Sequence, residues 1–205
     1  MRAASVLVLL APALAAADDT HRVTVGLDVL EYFPTLTVEP TAQPQSFGSP
    51  KQHTGITEID VPVAIGMTPW LRVVPLVGFT DLSLGWNEAG DPSLAGLDQN
   101  ALVLGAGAQA FYRYAGWEVR ADVRGRAPIP IGNASAGFFG TGSYDGHVDG
   151  GESIALTVGG ARRLGPTAIF IELGYIHSLV AFSASALGVS ESFGGFLIGG
   201  GVSLW

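Results

Sequence analysis

The segment from Trp117 to Arg126 reads Trp-Glu-Val-Arg-Ala-Asp-Val-Arg-Gly-Arg, and it decides the fold. Strict alternation of apolar and polar residues predicts a β-strand with one apolar face and one polar face. The polar face carries only charges: Glu118, Arg120, Asp122, Arg124 and Arg126. On a lipid-facing surface, a charge near the bilayer midplane would cost about 2–4 kcal/mol. If this strand crosses a membrane, its charged face must point into the protein.

The same period of two recurs along the chain and predicts eight strands. It is clearest at 56–68, where apolar side chains alternate with polar or small ones from Ile59 to Met67. Proline cannot donate to a ladder, so we expect bulges at Pro62 and Pro75. The predicted strands span about 22–33, 56–68, 70–84, 100–114, 117–127, 153–163, 167–178 and 193–205.

The connections alternate strictly between short and long. Residues 68–69, 114–116 and 164–166 are tight turns, whereas 34–55, 85–99, 128–152 and 179–192 are long. Membrane barrels place short turns in the periplasm and long loops outside. The order therefore predicts an all-β protein, an eight-stranded antiparallel up-and-down transmembrane β-barrel with both mature termini in the periplasm.

The N-terminal segment has the composition of an export signal. A positive start at Arg2, a short apolar run and small residues before Asp18 predict a signal peptide at 1–17, cleaved after Ala17. The barrel domain is then 18–205. The chain has no cysteine, and its net charge of −8 makes nucleic acid an unlikely partner.

Aromatic residues cluster at the predicted strand ends, where membrane interfaces favour amphipathic rings. Tyr32, Phe33, Trp86 and Tyr175 fall toward the long loops. The predicted periplasmic girdle at the short turns consists of Trp70, Tyr112, Tyr114, Trp117 and Trp205.

This architecture and the strand-like segment Phe196–Trp205, which ends on an aromatic residue, resemble the small eight-stranded outer-membrane barrels. That group includes the OmpA-transmembrane, OmpX and OmpW-like proteins. The resemblance covers nearly all of 18–205. It implies a bacterial outer-membrane location, contact with outer-membrane lipid, and recognition of the C-terminal strand by the barrel assembly machinery. We expect a monomer.

An eight-stranded barrel is just wide enough for side chains to fill it. Inward charges need partners there, because an unpaired buried charge is strongly destabilising. We expect Asp28, Glu58 and Asp60 to meet Arg124 and Arg126 in the outer half of the lumen. Toward the periplasm, Glu118 is expected to join Arg72 and Arg113. Glu172, Arg120 and Asp122 are expected between these layers. The predicted lumen is therefore a salt-bridged plug.

Other candidate sites carry weaker signals. Asp145, His147, Asp149 and Glu152 could collect a cation, but their spacing matches no calcium loop, and a solvated glycine-rich loop explains them. His177 and Ser178 are adjacent on a strand, so they point to opposite faces and do not form a catalytic pair. We expect no enzyme activity and no cofactor.

Charge is distributed unequally between the two ends of the predicted barrel. The outer segments are acidic apart from Lys51, whereas the periplasmic edge holds Arg22, Arg162 and Arg163. The favoured role is structural or surface-interactive. The alternatives are a narrow transporter for small or apolar solutes, a lipid A-modifying enzyme, and a soluble lipocalin-like carrier with its charged faces outside.

Overall fold

The computed structural model describes residues 23–40, 51–87, 94–132, 134–138, 142–146, 149–184 and 189–204. These residues form strands joined by turns. The strands are β1 (Val23–Pro40), β2 (Lys51–Thr68), β3 (Leu71–Asn87), β4 (Leu94–Tyr114), β5 (Trp117–Pro130), β6 (Ala134–Phe138), β7 (Gly142–Gly146), β8 (Ser153–Leu164), β9 (Thr167–Ser178), β10 (Phe182–Ala184) and β11 (Val189–Leu204).

Eight of these strands close into a ring. The order is β3-β2-β1-β11-β9-β8-β5-β4, and pairing between β3 and β4 closes the circle. Every neighbouring pair is antiparallel. The three short strands are additions outside the ring: β6 and β7 form a hairpin beside β4, and β10 pairs with β11. The predicted eight-stranded antiparallel barrel is confirmed.

The distribution of side chains is the reverse of that in a soluble protein. Arg124 and Asp28 are 2% and 0% exposed, whereas Val158 and Ile171 are 63% and 59% exposed. A soluble carrier would bury the apolar face and expose the charges. The soluble lipocalin-like alternative is therefore wrong. Among the described residues, no helix is long and apolar enough to cross a membrane.

The apolar outer surface is tall enough for a bilayer. On β5, the outward residues from Trp117 to Ile129 are all apolar or small. They cover about 40 Å of strand at about 3.3 Å per residue. A tilt of about 40° reduces this to about 30 Å along the membrane normal, and outer-membrane barrels present an apolar band of about 25 Å.

Several strands extend farther than the sequence pattern predicts. The ladder between β1 and β11 continues to Pro40, and β2, β3 and β4 remain paired up to Lys51, Asn87 and Leu94. Residues 34–40, 51–55, 85–87 and 94–99, predicted as loop, are therefore strand. Antiparallel pairing needs no apolar face, so the ladders continue beyond the apolar band.

The two strand prolines do not produce the predicted bulges. The β1–β2 ladder pairs Val25 with Val63 and Asp28 with Asp60 on one constant register, and Pro62 lies between these pairs. Pro75 pairs in register with Ala106. The register shift between β2 and β3 lies near the turn, between Gly66 and Thr68. Each proline is therefore accommodated without an extra residue.

Candidate functional site

Arg124 is the centre of the enclosed charges. It lies on β5, and its guanidinium contacts Glu172 at 2.9 Å, Asp28 at 3.1 Å and Asp122 at 3.5 Å. Glu172 also accepts a hydrogen bond from Arg120 at 3.1 Å. In a ring of eight, β1 and β5 are four strands apart in both directions. The contact between Arg124 and Asp28 therefore crosses the full diameter of the barrel.

A second group lies toward the long connections. Arg126 contacts Glu58 at 2.8 Å through Nε and Asp60 at 3.5 Å through Nη2. Tyr32 lies beside this group, with the Arg126 guanidinium 5.8 Å from its ring centroid. Tyr32 is 1% exposed, so the prediction that it belongs to an outer interfacial belt is wrong. It lies on the inward face of β1, four residues along the strand from Asp28.

A third group lies near the short turns. Arg72 donates two hydrogen bonds to Glu118, at 2.8 and 2.7 Å, which is the bidentate geometry that suits a guanidinium and a carboxylate. Arg113 donates to the same carboxylate at 2.9 Å from the half-exposed rim. The eleven predicted lumen residues thus fall into three groups of ion pairs and hydrogen bonds. The grouping differs from the expected one in one respect: Asp28 and Arg124, expected beside Glu58, Asp60 and Arg126, lie in the middle group with Asp122 and Glu172 instead.

Two kinds of partner in this network were absent from the sequence prediction. Gln109 accepts a hydrogen bond from Arg72 at 2.6 Å and donates one to Asp122 at 2.7 Å. It therefore joins the group near the short turns to the group around Arg124. The arginines also stack on inward rings: Arg72 lies 3.7 Å from the Phe111 ring centroid, and Arg120 lies 3.8 Å from that of Phe170. Stacking of this kind adds attraction for a guanidinium removed from water.

Glycines on neighbouring strands make room for the charged side chains. A Cβ at Gly107 would lie 2.8 Å from Arg124 Cγ, and one at Gly199 would lie 3.1 Å from Glu172 Cγ. Both distances are shorter than ordinary carbon contacts. These glycines therefore have a packing role, because the side chains of Arg124 and Glu172 lie directly against glycine backbone that carries no Cβ.

Two small cavities lie within the described part of the lumen. The outer one, about 40 Å³, is lined by Tyr32, Gln99 and Arg126 among others. The inner one, about 30 Å³, is lined by Arg120 and Phe170 among others. Each is large enough for a few water molecules at most. The ion-paired side chains of Arg124 and Asp28 form part of the wall of the inner cavity.

The described girdle residues lie on the outer surface at the short-turn end. Trp70, Tyr112, Tyr114 and Trp117 are 59%, 69%, 73% and 55% exposed. Trp205 lies outside the described residues, as does the predicted signal peptide at 1–17. An exposed aromatic ring at this level suits the boundary between acyl chains and headgroups.

The weaker candidate sites gain no support. His177 is exposed on the outer face, whereas Ser178 is buried and its Oγ accepts from the Phe193 amide at 3.0 Å. The described residues contain no group of three or more metal-ligating side chains placed to hold an ion. His147 and the Asp145 side chain lie outside the described part of the chain.

Solved structures with a similar fold are outer-membrane barrels. Neisserial surface protein A (NspA) is 14% identical, with a TM-score of 0.51 over 89% of this chain and 96% of its own. Outer membrane protein OprG from Pseudomonas aeruginosa is 10% identical, with a TM-score of 0.56 over 89% of this chain and 94% of its own. No protein-family model and no curated protein matches the sequence. At these identities, the likeness identifies the fold: a small outer-membrane-type barrel.

Proposed function

We propose that the mature chain is a monomeric integral protein of a bacterial outer membrane, with a structural or surface-interaction role. Its barrel is closed by ion pairs, and its long connections face the cell exterior. The exposed apolar band and the enclosed charges support the location, since each arrangement is stable only when lipid surrounds the barrel. The fold shared with NspA and OprG supports the same location.

The contact between Arg124 and Asp28 carries the proposal of a closed lumen. It joins opposite walls of the barrel at 3.1 Å, and the same guanidinium holds Glu172 on a third strand. A solute would have to break these pairs to pass. Separating the partners would leave buried charges without compensation, which is strongly unfavourable, so passage through the resting structure is disfavoured.

Planar-bilayer recording tests the closed lumen. Purified, refolded protein is expected to give no large, steady openings. Heat-modifiable migration on a gel, measured on the same vesicles, would verify that silent preparations contain folded, inserted barrels. Large, ion-selective, steady openings from such preparations would replace the plug with the narrow transporter of the alternative interpretation.

The absence of cysteine allows a clean test of orientation. Asp149 is exposed at the long-connection end, and Pro166 is exposed in a short turn. An Asp149→Cys variant is expected to react with an impermeant maleimide in intact cells. The matched Pro166→Cys variant should react only after the outer membrane is permeabilised. The reverse pattern would overturn periplasmic termini and external loops.

We also propose that 1–17 is cleaved as a signal peptide and that the assembly machinery recognises the C-terminal strand. The intact mass of protein recovered from outer membranes should correspond to a chain that starts at Asp18. A Trp205→Ala variant should reach the heat-modifiable form more slowly in vivo. The mass of an uncleaved chain would contradict the signal peptide, and an unchanged assembly rate would contradict recognition of the C-terminal strand.

The proposed role does not include catalysis. Ser178 is turned into the barrel and His177 out of it, so the pair lacks the contact that nucleophile activation requires. The acylation pattern of lipid A should be the same with and without overexpression. A change that requires folded protein would instead favour the lipid A-modifying alternative.

A further inference from the structure

Positive charge accumulates at the short-turn end of the barrel. The described residues of this end include four arginines and one carboxylate, that of Glu118. Arg72 and Arg113 already contact Glu118. The remaining two arginines, Arg162 and Arg163, lie beside each other at the end of β8. The described residues of this end therefore carry a net positive charge, although the whole chain carries a net charge of −8.

Arg162 projects from the outer, lipid-facing side of β8. It pairs in register with Trp117 on one side and Ile169 on the other, and these two are 55% and 54% exposed. Its guanidinium lies 4.9 Å from the Trp117 ring centroid. Nη1 also donates to the backbone carbonyl of Ala115 at 3.4 Å. Two contacts thus hold a cation at the boundary between the apolar band and the turn.

Arg163 points the other way. Successive residues of a strand alternate between faces, and the Nε of Arg163 donates to the carbonyl of Gly165 within the turn at 3.1 Å. The two arginines therefore carry the same charge at nearly the same height, but only Arg162 stands among the exposed apolar residues of the barrel wall.

We propose that Arg162, held over Trp117, binds the phosphate of an anionic phospholipid in the leaflet that faces the short turns. A guanidinium presents five N–H donors in a planar fork that matches phosphate oxygens, and the contact with Ala115 uses one of them. The ring of Trp117 and the side chain of Ile169 lie where the acyl chains of the same lipid would pass. The charge of the site selects an anionic headgroup over a zwitterionic one.

This inference rests on the membrane-spanning arrangement proposed above, and native mass spectrometry of the refolded protein tests it. Phosphatidylglycerol should bind more tightly than phosphatidylcholine at matched concentrations. Arg162→Gln should weaken phosphatidylglycerol binding roughly tenfold, comparable to the loss of one hydrogen bond between charged groups. Trp117→Leu keeps apolar surface but removes the ring, so an intermediate loss is expected.

Arg163→Gln is the matched control, because it makes the same change in charge one residue along the strand. It should alter binding less than twofold. Equal binding of the two lipids, unchanged binding by Arg162→Gln, or an equal loss in Arg163→Gln would each overturn the inference. A protein that inserts into no vesicle would contradict the proposed membrane function instead. Insertion without headgroup preference would contradict only this site.

Discussion

Replacing Arg124 with methionine isolates the energetic role of the cross-lumen ion pairs. Glu172 would retain Arg120 at 3.1 Å, and Asp122 would retain the amide of Gln109 at 2.7 Å. Asp28 would lose the guanidinium that contacts its Oδ2. The carboxylate of Asp28, which has no exposed surface, is then left without the guanidinium of Arg124. Because orphaning a buried charge costs about 3–5 kcal/mol, the free energy of unfolding should fall by that amount.

Urea-induced unfolding in phosphatidylcholine vesicles measures this change. The exposed tryptophans Trp70 and Trp117 report when the outer surface leaves lipid. A double variant, Asp28→Asn with Arg124→Met, removes the orphaned charge and should recover about 2 kcal/mol of the loss. Val123→Ala, on the outward face of the same strand, is the control for a general perturbation of β5.

Two results would refute this reasoning. One is an Arg124→Met barrel within about 1 kcal/mol of the wild type, which would mean that the pairs contribute little beyond the cost of burying them. The other is a double variant as unstable as the single one. If Arg124→Met does not fold, Asp28→Asn alone is informative, because Arg124 keeps two other carboxylates. A small loss is then expected, and a loss of 3–5 kcal/mol would contradict the scheme.

The remaining predictions concern space and polarity. A Cβ at Gly107 would overlap a backbone carbonyl and crowd Arg124, so Gly107→Ala should lower the unfolding midpoint in urea. Gly125→Ala, whose Cβ would come no closer than 3.8 Å to another strand, should leave it nearly unchanged; equal effects would contradict the packing argument. Val158→Arg places a charge on the outward face and should cost about 2–4 kcal/mol in vesicles, with Val158→Leu as control. Unaltered stability of Val158→Arg would argue against lipid contact there.

The period of two and the alternation of short and long connections together were sufficient to predict the barrel. The period fixes which residues share a face, and the connections fix the antiparallel order of the strands. What remains to be decided is which face points into the barrel. In a lipid environment, the charged face of β5 must point inward, and this sets the orientation of the other strands. The same parity places Tyr32 inward with Asp28. Tyr32 was predicted in the interfacial belt because it is aromatic and close to a strand end. Its even-numbered position on the same face as Asp28 was the more reliable indicator.

The strand ends and some lumen partners could not be predicted in this way. Toward the long connections, the outward positions of β2 and β3 become polar at Thr57 and Asp81, so the membrane pattern ends there while the ladders continue. The contacts of Gln109 and Phe170 with arginines depend on how far the strands are staggered around the ring. That stagger follows from the whole set of registers, and the pattern of one strand does not contain it.

The strand extensions at the long-connection end restrict how the surface of that end can vary. The β1–β2 ladder ends at Tyr32 and Ile56, and beyond it β1 continues with β11 while β2 continues with β3 and β4. At the long-connection end, the barrel wall therefore divides into two groups of hydrogen-bonded strands, one built on β1 and β11 and the other on β2, β3 and β4. Inserting one residue into a strand of such a group would exchange its two faces. Substitutions, and insertions of two residues, would leave each side chain on its original face. Length differences among natural variants should therefore concentrate at the tips of these strand groups, where no pairing register is disturbed.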